Sequence, residues 1–261
     1  MASLIEMIRV ETLKAARSRV PLFTGLGYML LPVAAGFFMF VLKDPVFAQK
    51  VGLISTKAHL AGNTADWPTY LSIFTQGIAT GGLVLSGVIS SWVFGREFSD
   101  HTLKDLLAVP MSRLAILLSK FFVVAAWYLI LSVSVTVVGL MLGSLIGLPG
   151  GSSALIIQGG VKLVITACLV MLVVTPIAFF ASIGRGYLPP IGALILILFL
   201  ANVVAVAGWG AYFPWAVPAL YSGSAGSAAT LEPASYWIVA LTGLAGIGVT
   251  YAWWQTADQN R

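Results

Sequence analysis

Arg96, Glu97, Asp100, Lys104, Asp105 and Arg113 share one nineteen-residue stretch, Gly95–Arg113, set between two long apolar runs. The chain has 14 Lys and Arg and 9 Asp and Glu in 261 residues, so six in this stretch is a concentration. Charge is costly in hydrocarbon and stays where water or a partner can meet it. Ser99 or Asp100 can cap a helix here, and Pro110 marks its end. Leu103, Leu106, Leu107 and Pro110 follow i, i+3, i+4, i+7 spacing, a single apolar stripe. Asp100 precedes Lys104 by four residues, the favourable orientation, and His101 precedes Asp105 by four. A helix of about ten residues is marginal alone in water. The stripe therefore needs a surface, either the headgroup layer or another protein.

Other chemistries have no residues to carry them. One cysteine, Cys168, and two distant histidines, His59 and His101, give no metal-ligand spacing. There is no G-x-x-x-x-G-K-[ST] phosphate cradle, and no Gly-Lys pair at all. Neither a G-x-S-x-G elbow nor an H-E-x-x-H helix occurs. This chain is expected to hold no cofactor, to catalyse nothing itself and to bind no nucleic acid. Its net charge of +5 reads as loop bias in a membrane protein.

The elements that position the charged stretch are membrane spans. Apolar residues make up 59% of the chain, and several runs exceed the ~18–20 residues needed to cross a bilayer. Six spans are predicted: 20–42, 70–94, 121–146, 161–183, 188–209 and 236–254. With six spans, both termini, the Gly95–Arg113 loop and the Gly184–Tyr187 turn share one side. That side carries ten Lys and Arg against four on the other, which assigns it to the cytoplasm of a multi-pass protein of the inner (cytoplasmic) membrane.

Residues 1–19 carry six charges and are read as retained rather than as a cleaved signal. Ser3 and Glu6 form a capping box that starts a helix near Leu4. Leu4, Ile5, Ile8, Ala15 and Ala16 gather on one side, and Glu6, Arg9, Lys14 and Arg17 on the other. Val10 and Leu13 break the pattern. Such a helix can lie in the interface before the chain turns in at Pro21.

Between spans five and six, Phe213, Pro214, Trp215 and Pro218 make an aromatic segment interrupted by proline, within residues 210–235. It reads either as a short re-entrant or interfacial piece or as an aromatic belt. The polar residues of the spans are few. Gln76 and Thr80 mark span two, with Gly77 and Gly81 as a G-x-x-x-G pair suited either to packing within the chain or to a dimer interface. Asn202 marks span five. No acidic residue falls within a predicted span, because Glu97 and Glu232 are assigned to loops.

Arg96, Glu97 and Phe98, then Thr102, Leu103, Lys104, Leu106, Leu107, Pro110, Ser112, Arg113 and Lys120, resemble a motif of ABC-2 type transporter permeases. Where that family usually has Gly before the Thr, this chain has His101. The resemblance extends over the whole chain and is nearest to the small six-span permeases similar to bacitracin-efflux and lantibiotic-immunity subunits. It implies an all-α polytopic membrane protein forming one transmembrane domain over 1–261. The parts are an N-terminal interfacial helix (1–19), spans one and two (20–94), a cytoplasmic coupling segment (95–113), spans three to five (114–209), the outer segment (210–235), and span six with the tail (236–261).

The resemblance also implies partners. Two copies of a separate ABC ATPase, holding ATP and Mg, would dock on Arg96, Glu97, Phe98, Thr102, Leu103, Lys104, Leu106, Leu107 and Arg113. A second permease chain, identical or related, would complete the path. Gln76, Gly77, Thr80, Gly81 and Asn202 fall on the spans that line that path, and Phe213, Pro214, Trp215 and Pro218 would form its outer gate. The expected function is export of an antibiotic peptide or other amphipathic molecule. The alternatives are a secondary transporter, for which buried ionisable groups and repeats are lacking, and a non-transporting membrane anchor or assembly subunit.

Overall fold

A computed structural model describes residues 4–43, 64–102, 111–224 and 231–256. Among these residues the fold is entirely helical. An N-terminal helix α1 (Leu4–Ala16) leads through a short turn into α2 (Val20–Lys43). Then come α3 (Trp67–Ser99), α4 (Arg113–Ile146), α5 (Ser153–Val174), α6 (Pro176–Ile183) and α7 (Leu188–Val206). A 3-10 turn (Gly210–Tyr212) and the short α8 (Val217–Ser222) precede α9 (Pro233–Thr256).

Among the described residues, six helices are long and apolar enough to cross a membrane, with α5 and α6 counting as one. The spans differ from the sequence reading mainly at their ends. α3 runs from Trp67 to Ser99, so Gly95–Ser99 continue the second span rather than begin a separate segment. Glu97 is thus a helical, buried residue and not a loop residue. α5 starts at Ser153, eight residues before the predicted fourth span at 161, because the Ser152 hydroxyl accepts from Leu155 N–H at 3.2 Å.

The fourth span is broken at Thr175–Pro176. Proline has no N–H to continue the ladder, and the orphaned carbonyls find side-chain donors instead. The single Thr175 hydroxyl proton is shared between Leu172 O of the broken span at 3.0 Å and Gly243 O of the neighbouring α9 at 2.9 Å. Trp215 Nε1 donates to Val173 O at 2.7 Å.

α3 is the most buried span and α7 the least. α3 packs against α2, α4, α5, α6, α7 and α8, and α1 lies against α4. Aromatic rings fill the seam between α3 and α4. Phe94 and Phe121 sit 4.8 Å apart, and Trp92 meets Trp127 edge-on at 5.9 Å. One end of the bundle gathers α1, the ends of α3 and α9, the start of α4, and the turn before α7. The contacts that define it are Lys14 with Glu97, Arg113 with Trp254, and Gly95 with Gly186.

Candidate functional site

At that basic end, four charged side chains from three helices meet. Glu11 shares the buried face of α1 with Met7 and Ala15, at four-residue spacing, so packing α1 onto α4 carries its carboxylate inward. Lys120 sits about two turns into α4, Glu97 within the last turn of α3, and Lys14 about one turn after Glu11.

Lys120 Nζ donates to Glu11 Oε2 at 3.1 Å, Glu97 Oε1 at 3.0 Å and Val93 O at 3.3 Å. Lys14 Nζ donates to Glu11 Oε1 at 3.0 Å and Glu97 Oε1 at 2.9 Å. Lys120 is 0% exposed, Glu97 3% and Glu11 5%. A buried charge is tolerated only when paired and hydrogen-bonded. Here two ammonium groups alternate with two carboxylates, and all three Lys120 protons have acceptors. Burial alone would lower the Lys14 pKa, but the Glu11 and Glu97 carboxylates outweigh it and raise it.

Glu97 also holds the chain that leaves α3. The Thr102 hydroxyl donates to Glu97 Oε2 at 2.7 Å, and Thr102 N–H donates to Glu97 O at 3.1 Å. His101 N–H donates to Phe98 O at 3.3 Å, completing a Schellman ending in which His101 takes φ +56°. This is the position where the resembling family has Gly, and the backbone is of the kind that favours Gly. Asp100, read as a candidate N-cap, is the C-cap of α3.

The other predicted docking residues divide between the two flanks. Arg96 Nε donates to Asp100 Oδ2 at 3.1 Å, its Nη1 reaches Lys14 O at 3.4 Å, and its guanidinium lies 5.1 Å from the Trp92 ring centre. Phe98 meets Trp253 and Trp254 of α9 edge-on. Arg113 Nη1 donates to Trp254 O at 2.5 Å and Gln255 O at 3.2 Å, a cation on the C-terminal carbonyls of α9. Leu103, Lys104, Leu106 and Leu107 lie outside the described residues.

Of the residues read as path-lining, Thr80 and Asn202 come together. Both line a cavity of about 390 Å³ between α3, α7 and the 215–224 segment, with Trp215 in its wall. Gln76 donates instead to Ser72 Oγ at 3.1 Å. Gly77 and Gly81 face Leu31 of α2, whose side chain lies 3.4 and 3.3 Å from where a Cβ would stand. In the outer segment Phe213 stacks obliquely on Trp215 at 5.3 Å, Pro214 O accepts from Val217 N–H, and Pro218 is buried in the first turn of α8.

Glu11 and Lys120 are the pair in this cluster that motif reading missed. The available signal was the lysine itself, because an ammonium inside an apolar helix implies a carboxylate nearby. Residues 7–202 match the family described as ABC-2 family transporter protein. The chain is 31% identical over 179 residues to the bacitracin transport permease protein BCRB of Bacillus licheniformis, covering 68% of this chain and 85% of that protein. The family match takes in all four charged residues of the cluster.

Proposed function

Given that this chain belongs to the ABC-2 family of transporter proteins, we propose that it is the permease of an ATP-driven exporter worked by a separate ATPase docked on residues 95–113. The chain is a multi-pass transmembrane permease of an ABC transporter. The finer assignment rests on the basic end. The observation that carries it is the double hold of Glu97 on Thr102, the last described residue before the Leu103–Pro110 stripe.

A docking element transmits force only if its ends are fixed. At the first end, Thr102 is bound through both hydroxyl and backbone to a residue already locked between α1 and α4. At the second, Arg113 is anchored on the C-terminus of α9, and Ser112 caps α4 by accepting from Ala115 N–H at 3.2 Å. Movement of an ATPase against the stripe would then reach α1, α3, α4 and α9 together.

The basic end faces the cytoplasm in this reading, where the excess of Lys and Arg belongs. ATP and Mg sit on the ATPase subunits, two copies, and a second permease chain completes the assembly. The Thr80–Asn202 cavity is mainly apolar, with the hydroxyls of Thr80 and Ser224 and the Asn202 amide, which suits an amphipathic cargo such as an antibiotic peptide. The test is co-expression with an ABC ATPase and transport into inverted vesicles. Bacitracin uptake that requires both ATP and the ATPase supports the assignment. Uptake driven by an ion gradient with no ATPase contradicts it.

A further inference from the structure

Val10, Leu13, Lys14 and Arg17 stand at i, i+3, i+4 and i+7, one stripe along α1 and the turn after it. The stripe runs beside the buried Met7–Glu11–Ala15 face. With Ser18 and, from α3, Arg96, it encloses a groove of about 380 Å³. The groove is graded in chemistry. Val10 and Leu13 are 43% and 45% exposed at one end, and three cations stand at the other.

Two of those cations are committed. Lys14 gives protons to Glu11 and Glu97, and Arg96 pairs with Asp100. Arg17 faces no carboxylate among the described residues. Its guanidinium offers a planar fork suited to a phosphate, and because Lys14 and Arg96 are balanced by Glu11, Glu97 and Asp100, Arg17 supplies the groove's uncompensated positive charge. The height is also informative. Arg17 lies just before the start of α2 and Arg96 just before the end of α3, where these helices leave the hydrocarbon.

We propose that this groove binds an anionic phospholipid, its headgroup phosphate on Arg17 with Lys14 and Arg96 behind it, and its acyl chain along Val10 and Leu13. This also accounts for the two apolar residues that interrupt the polar side of α1. The site stands independently of ATPase docking, because it involves no part of the Leu103–Pro110 stripe.

Native mass spectrometry of the full chain in non-ionic detergent reads it directly, titrating dioleoyl-phosphatidylglycerol, dioleoyl-phosphatidylcholine and soluble glycerol 3-phosphate. Phosphatidylglycerol binds more tightly than phosphatidylcholine, and Arg17→Gln weakens it by about fivefold. Arg9→Gln, the same charge change on the N-terminal segment but outside the groove, leaves it nearly unchanged. Leu13→Gln, at an exposed position, removes the apolar contact without adding a charge that would pair with Arg17 one turn on, and also weakens phosphatidylglycerol. Equal losses for Arg9→Gln and Arg17→Gln, or no preference between the two lipids, overturn the site. Displacement of the lipid by glycerol 3-phosphate at matched concentration overturns the lipid and leaves a free-phosphate site.

Discussion

Lys120 Nζ lies 3.0 Å from Glu97 Oε1, and the two side chains are 0% and 3% exposed. They belong to the two helices that flank residues 103–110, so the pair joins the elements on either side of that stretch. Glu11 joins the same lysine from α1 at 3.1 Å. Under the proposed docking, a load on that stretch would be shared by three helices rather than taken up by a hinge.

Breaking that pair from one side strands a charge in the interior. Glu97→Gln and Lys120→Met should each cost about 3–5 kcal/mol, and the double variant less than their sum. Denaturant unfolding in detergent, followed by circular dichroism, measures both. Strict additivity would mean the two residues do not act as a pair.

The cluster gives stability an alkaline limit. The Lys14 pKa is raised above its ordinary 10.5 in the folded protein. More protons are then bound folded than unfolded at high pH, so its contribution is complete below the unfolded value and is lost as pH climbs through the folded one. Melting temperature should fall more steeply above about pH 10.4 for the parent than for Lys14→Met. Parallel curves would contradict the pairing.

His101 carries a left-handed φ of +56° without the freedom of Gly. His101→Gly should stabilise by about 0.5–1 kcal/mol, the αL penalty less the added chain entropy of Gly. His101→Val should be worse than the parent, because a β-branched side chain tolerates that region least. Thermal melting orders the three.

Gly246 sits where α9 meets the break in the fourth span. A Cβ there would stand 2.5 Å from Thr175 Oγ1 and 2.6 Å from Pro176 N, a backbone atom that cannot step aside. Gly246→Ala should cost about 1–3 kcal/mol. Gly248→Ala, on the same helix with nothing within 4 Å, is the control that should stay near the parent.

The spans were legible because an apolar run of sufficient length has few alternatives to crossing a bilayer. Their ends were not. Charge at Arg96 and Glu97 looked like the start of water, but both side chains find partners inside the protein, so α3 continues to Ser99. Asp100 had the residue type of an N-cap, yet its carboxylate pairs backward to Arg96. The cluster was hidden for another reason. Glu11 and Lys120 are 109 positions apart, and only the packing of α1 on α4 joins them. The Arg96–Glu97–Phe98 motif is legible through its residue types, but only the geometry shows Glu97 facing inward to Lys120 and Phe98 toward α9.

The central claim is that residues 95–113 receive an ATPase. The direct measurement is permease-stimulated ATP hydrolysis and co-purification for the Leu106→Ala, Leu107→Ala double variant, made in full-length chain co-expressed with the ATPase. The stripe they belong to is the apolar face a docked partner would bury. Loss of both the complex and the stimulated hydrolysis, with the permease still folded, is the predicted result. An intact complex with undiminished stimulated hydrolysis would contradict it.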